Sequence, residues 1–143
     1  MAATDARPTF CQVVLDATDV RQTAEFWREL LGLVYRPGHT PPTGGEEDAA
    51  ADDGWINLFE PDGTPRLAVQ HVDTLVRTTW PDHTVAQQLH LDLIVESVAE
   101  RDVVHERVLA LGGELRFDRS DDPDEPLRVF TDPAGHTFCV FVT

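Results

Sequence analysis

The sequence predicts an α+β protein in which two βαβββ modules form one domain, with a curved mixed sheet around a cleft. Three observations carry that prediction. Residues 10–16 and 87–95 alternate apolar and polar side chains with the period of a half-buried strand. Each stretch is followed by a helix start signal, an apolar helical stripe, a glycine stop and three short strand-like runs. Gln12 and His90 hold matching places and lie 90 − 12 = 78 residues apart, so the chain reads as an internal repeat whose halves share a core.

The first module covers residues 9–72. Cys11, Val13 and Leu15 give its opening strand one apolar face, and Phe10, Gln12, Val14 and Asp16 form the other. Asp19 with Gln22 three residues on predicts a capped helix start. Val20, Ala24, Phe26, Trp27, Leu30 and Leu31 then recur near the 3.6 period, which places Trp27 in the core, and Gly32 suits a left-handed stop. Residues 33–36 read as a short second strand. Residues 37–54 carry prolines, glycines and the run EEDAAADD, predicting a solvated or mobile loop that adds nothing to the core. A loop of that length is either a lid or an inert excursion. Residues 55–60 and 66–72 read as strands joined by a turn at residues 61–63.

Residues 73–86 form a connector containing Trp80 and Pro81. In the second module, residues 87–142, Leu89, Leu91, Leu93 and Val95 face a core, while Gln88, His90, Asp92 and Ile94 face a cavity. Ser97 and Glu100 make a full capping box. Val98, Val103, Val104, Val108, Leu109 and Leu111 form the stripe of the helix, which Gly112 and Gly113 end. A short strand at residues 114–118, an acidic loop at 118–126 and strands at 127–132 and 136–142 complete the repeat.

The formal net charge is −15, and all 11 basic residues are arginines. Nucleic acids and anionic membrane surfaces are poor partners for such a chain, because both are held by basic patches. No run approaches the roughly 20 apolar residues of a membrane span, and the first residues lack the apolar centre of a signal peptide. A cytoplasmic protein is expected, with Cys11 and Cys139 as reduced, mostly buried thiols.

The natural place for a small-molecule ligand is the cleft where the two cavity faces meet. His90 lies in the middle of one face, as a ligand or acid/base group, or as a hydrogen-bonded lining histidine. Asp92 shares that face as a candidate base or substrate contact. Trp55 and Trp80, beside the long loop and within the connector, are placed to stack on a flat ligand or to pack.

The repeat, with FWRELLGL at residues 26–33, DPAGHTFCVFV at residues 132–142 and the stretch from Trp80 to Asp92, resembles the vicinal oxygen chelate superfamily, in its glyoxalase-like subgroup. That superfamily includes glyoxalases, extradiol dioxygenases, fosfomycin-resistance enzymes and bleomycin-binding proteins. The resemblance covers residues 9–142. It implies a homodimer and, in metal-using members, a site built from the first and last strands of each half. Those positions correspond here to Gln12, Gln70 (with His71 out of phase beside it), His90 and Cys139, the last where a glutamate is usual. It further implies a possible divalent cofactor (zinc, nickel, manganese or iron) and lyase or isomerase chemistry on an oxygenated substrate, with Gln12 and Gln70 orienting the substrate oxygens. Gln12, Gln70 and His90 supply no carboxylate, so the alternative is a metal-free protein that binds or sequesters a drug or metabolite.

Overall fold

The computed structural model describes residues 3–143. In chain order the elements are β1 (Val13–Ala17), α1 (Val20–Leu31), β2 (Val34–Tyr35), α2 (Ala49–Asp52), β3 (Trp55–Phe59), β4 (Pro65–His71), β5 (Leu91–Val95), α3 (Val98–Ala110), β6 (Glu114–Arg119), β7 (Leu127–Thr131) and β8 (Thr137–Val142). They form two four-stranded mixed sheets of the same plan, in the orders β1-β4-β3-β2 and β5-β8-β7-β6. The outer pair of each sheet, β1–β4 and β5–β8, is parallel and the others are antiparallel. Two βαβββ modules with an α+β fold are therefore present.

Both opening strands are shorter than their alternation predicts. In β5 the first pair is Leu91 with Phe138, because its ladder neighbour β8 begins only at Thr137, after the tight turn from Asp132 to Gly135. Residues 87–89 overrun that neighbour, and His90, level with its first residue Thr137, stands just ahead of the ladder. In β1 the ladder likewise begins one residue after Gln12, at Val13 with Leu67, although β4 starts earlier, at Pro65. Period-two patterning reports which face a side chain takes; a ladder also needs a partner backbone.

Asp19 accepts the Gln22 N–H at 3.0 Å and starts α1, which Gly32 ends at φ 69°. Val20, Ala24, Phe26 and Trp27 are buried along it. Ser97 accepts the Glu100 N–H at 3.1 Å and starts α3, while the Glu100 carboxylate accepts the Glu96 N–H at 2.8 Å. The predicted stripe of α3 is only partly used. Val108 is buried and Val104 and Leu111 are partly covered, but Val98, Val103 and Leu109 are exposed. Spacing alone could not reveal that the sheet covers so narrow a face of this helix.

One core joins the modules. Leu15, Phe26, Trp27, Leu58 and Leu67 from the first meet Val108, Phe130, Phe138 and Val140 from the second. The Trp27 ring lies 4.9 Å from that of Phe138, which in turn stacks on Phe130 at 5.6 Å. Burying each of these large rings contributes about 1.5–3 kcal/mol. Trp27 Nε1–H donates to Asp132 Oδ2 and the His136 N–H to Asp132 Oδ1, both at 2.9 Å, so a fully buried carboxylate is satisfied from both modules. Gly113 is required by close approach: a Cβ there would meet Val108 Cγ1 at 2.6 Å, the Thr131 carbonyl at 2.9 Å and Phe26 at 3.0 Å.

The loop at residues 37–54 differs from expectation. It contains α2, and Ala50 joins a buried cluster with Ile56 and Val69. Arg21 on α1 clamps it, donating to both Asp48 oxygens at 2.7 and 2.9 Å and to the His39 carbonyl at 2.8 Å. The acidic run that looked purely solvated supplies the partner for this arginine.

Candidate functional site on the second module

One face of the second sheet packs on α3 and the shared core through Leu91, Leu93, Val95, Phe130, Phe138 and Val140. The alternate residues therefore look the other way. On that open face the β5–β8 register sets Asp92 directly opposite Cys139, and His90 stands two residues before Asp92. A nitrogen of His90, a carboxylate oxygen of Asp92 and the Cys139 sulfur all lie within 4.8 Å of one another. His90 Nε2 is 3.3 Å from Asp92 Oδ1.

The two halves of this cluster differ in exposure. The His90 and Asp92 side chains are 42% and 56% exposed, whereas Cys139 is 8% exposed. Burial, together with the negative charges of Asp92 and Glu125, pushes the Cys139 thiol up to about 11. Trp80 and Phe141 pack against Cys139, Leu127 and Val129, so Trp80 walls this site. The Trp80 carbonyl is held by Arg116 Nε–H at 2.8 Å.

Gln12 and Gln70 do not form a pair on the first module. Gln12 precedes Val13, which pairs with Leu67, whereas Gln70 pairs with Asp16 and Trp55. Four residues of strand separate them, or about 13 Å, too far for one ion to bridge. Gln12 Oε1 instead accepts from Asn57 Nδ2 at 3.4 Å. Asn57 is the centre of a polar cluster that sequence reasoning missed. Its Oδ1 accepts from Trp55 Nε1–H at 2.7 Å and from Arg36 at 3.4 Å, and its N–H donates to His39 Nδ1 at 3.0 Å. The available signal was its place between Trp55 and Phe59 on the face of β3 opposite Ile56 and Leu58. Trp55 therefore belongs to this cluster, and Trp80 to the other. His71, the out-of-phase neighbour of Gln70, is exposed and lies 3.9 Å from Asp73.

Register also shows why the first module lacks a matching cluster. Val14 pairs with Ala68 where Asp92 pairs with Cys139, so the duplicated position is apolar. A cleft of about 420 Å³ adjoins the second-module site at the seam, between the end of β1, the connector and the turn before β8. Gln88, Leu89 and Thr137, neighbours of the cluster along the chain, line it. His136 Nε2 meets the Asp16 carbonyl at 2.6 Å and closes one end.

The donor set fits a divalent ion. Imidazole, carboxylate and thiolate are ligands of catalytic zinc sites, in which three protein groups leave a position open. Asp92 provides the anionic oxygen that Gln12, Gln70, His90 and Cys139 alone would lack.

The chain matches the family model described as a glyoxalase-like domain over residues 12–141. It belongs to that family, within the vicinal oxygen chelate superfamily. Solved structures with the same fold include a possible glyoxalase from Bacillus cereus, with a TM-score of 0.60 and 16% identity over 93% of this chain and 97% of that one. A glyoxalase/bleomycin resistance protein from Albidiferax ferrireducens gives 0.59 and 18% over 94% and 98%. A mutant of the fosfomycin resistance protein FosX from Listeria monocytogenes, complexed with Mn(II) and 1S,2S-dihydroxypropylphosphonic acid, gives 0.64 and 17% over 96% and 93%. No curated protein matches the sequence.

Proposed function

We propose that this protein is a glyoxalase-like enzyme, a lyase or isomerase acting on an oxygenated organic substrate held against the open face of the second module. The observation that carries the proposal is the meeting of His90, Asp92 and Cys139 within 4.8 Å beside a ligand-sized cleft. These three residues would hold a divalent ion, and a thiolate ligand favours zinc, nickel or iron over manganese. Bound there, the ion would supply Lewis-acid polarisation of a substrate oxygen and favour loss of the Cys139 proton. Asp92 faces His90 Nε2 at 3.3 Å: without an ion it would hold a proton on that nitrogen, and with one bound both groups would turn to it as ligands. Trp80 covers one side of the site with an apolar wall.

Two further readings belong to this proposal. A reducing cytoplasm keeps Cys139 available as a donor. A homodimer is supported by the exposed apolar Ile94, Val98 and Val103, which lie on and beside the unpaired edge strand β5.

The purified protein is tested by counting bound metal after exposure to zinc, nickel or manganese, then repeating the count with His90→Ala and Cys139→Ala. One ion per chain, lost in both variants and tracking turnover of oxygenated substrates, supports the enzyme. The second reading, a drug- or metabolite-sequestering protein without metal, is favoured by the protonated state that burial imposes on Cys139. It is supported if no ion binds while ligands still raise the melting temperature.

A further inference from the structure

We propose that the seam cleft selects a cationic ligand, holding its apolar body against Val14, Val76 and Leu89 and its protonated amine at the Asp16 carboxylate. The cleft, at about 420 Å³, falls in the size range of small-molecule sites. Three of its wall residues are large apolar side chains left open to solvent: Val14 at 40%, Leu89 at 55% and Val76 at 75% exposure. Three such residues around one hollow present a surface for an apolar body.

The polar groups of the cleft divide into committed and free. Thr78 Oγ1–H donates to the Val85 carbonyl at 2.6 Å, and Thr137 donates to the Gln87 amide oxygen. His136 Nε2 is engaged with the Asp16 carbonyl. Among the described residues, neither the Asp16 carboxylate nor the Gln88 side-chain amide has a hydrogen-bond partner. No arginine lines the cleft. The closest in sequence, Arg77, packs over Gly135 at the cleft's rim, with its guanidinium committed to the Pro133 carbonyl at 2.9 Å.

A lone carboxylate between apolar walls, in a chain of net charge −15, repels anions and attracts cations. A charge-assisted contact from an ammonium group to Asp16, with Gln88 accepting a second proton, satisfies the groups left free. This differs from the anionic phosphonate bound by the FosX relative. The inference rests on the reading above that this cleft serves the His90 site, from which Leu89 and Gln88 are one and two residues away along the chain.

The test uses two probes of equal size, 3-phenylpropylamine and 3-phenylpropanoate, titrated calorimetrically into chelator-treated full-length protein. Metal-free protein separates this outcome from that of the metal site. The amine is expected to bind and the carboxylate not to. Asp16→Asn should weaken the amine by about tenfold or more. That substitution leaves the backbone contact to His136 in place. Val76→Arg, at an exposed wall position, should weaken the amine and admit the carboxylate. Equal binding of the two probes, no binding of the amine, or an Asp16→Asn affinity equal to that of the parent would overturn the proposal.

Discussion

Asp92 on β5 stands directly opposite Cys139 on β8, in the parallel pair that forms the outer edge of the second sheet. This register converts a sequence with scattered donors into one compact triad. If Asp92 completes the donor set, Asp92→Asn, His90→Ala and Cys139→Ala should each weaken zinc binding. The expected loss is at least the 10- to 100-fold that even outer-shell changes cause. Gln12→Ala and Gln70→Ala should leave zinc stoichiometry unchanged, because strand register keeps both out of the cluster. Competition titration against a zinc chelator measures all five.

The clamp on the long loop predicts a pH response in two stages. Burial first, then the charges of Arg36 and Arg21, lower the His39 pKa, and its Nδ1 accepts the Asn57 N–H only when neutral. With the folded pKa below the unfolded value of about 6.5, this contact contributes fully above about pH 6.5. It is lost as pH falls from there through the folded value. Asp48 behaves like a paired carboxylate: the Arg21 hydrogen bond depresses its pKa, so its contribution is present above about 3.9 and lost as pH falls through the lower folded value. Corrected for intrinsic exchange, protection of the Asn57 amide should fall as pH drops below about 6.5 in the parent, and that of the Ala51 amide only at the lower pH where Asp48 is protonated. Protection of the Asn57 amide should already be lost at pH 7 in His39→Ala, and that of the Ala51 amide weakened in Arg21→Met.

Arg101 is 8% exposed on its side chain, and its Nε has no acceptor among the described residues. Asp102 Oδ1 lies 3.6 Å from its Nη2, and Asp102 itself is mostly solvated. A buried charge with so little compensation is replaceable by an apolar side chain of similar length. Arg101→Met is expected to leave the melting temperature unchanged or raise it by up to about 5 °C. A fall of that size would reveal that the guanidinium does more than fill space.

Val95, Ala99, Val103 and Val104 line an apolar hollow of about 320 Å³ between β5 and α3. If this face joins two copies, Val103→Glu should shift the sedimentation coefficient from dimer to monomer while far-UV circular dichroism stays constant. A dimer that survives the charge places the interface elsewhere.

Much of the fold was readable from residue order because its signals are local. Asp19 and Ser97 cap helices wherever such residues precede an amphipathic run, and Gly32 marks a left-handed stop. Period-two alternation named the correct faces of β1 and β5, though not their first residues. The repeat linking Gln12 to His90 was visible for the same reason, since equivalent strands carry equivalent patterns.

The sequence by itself therefore determined the two-module plan, the caps, the burial of Phe26 and Trp27 along the first helix, and the shared strand face of His90 and Asp92. Only the tertiary structure decided that Asp92 and Cys139 face each other, that Gln12 and Gln70 lie at opposite ends of a strand pair, and that Asn57 gathers the first module's polar groups. Alternation along one strand tells which way a side chain points. Which residue of the next strand stands beside it depends on how long each connecting turn is and where packing halts the ladder, and those are settled by the whole chain at once.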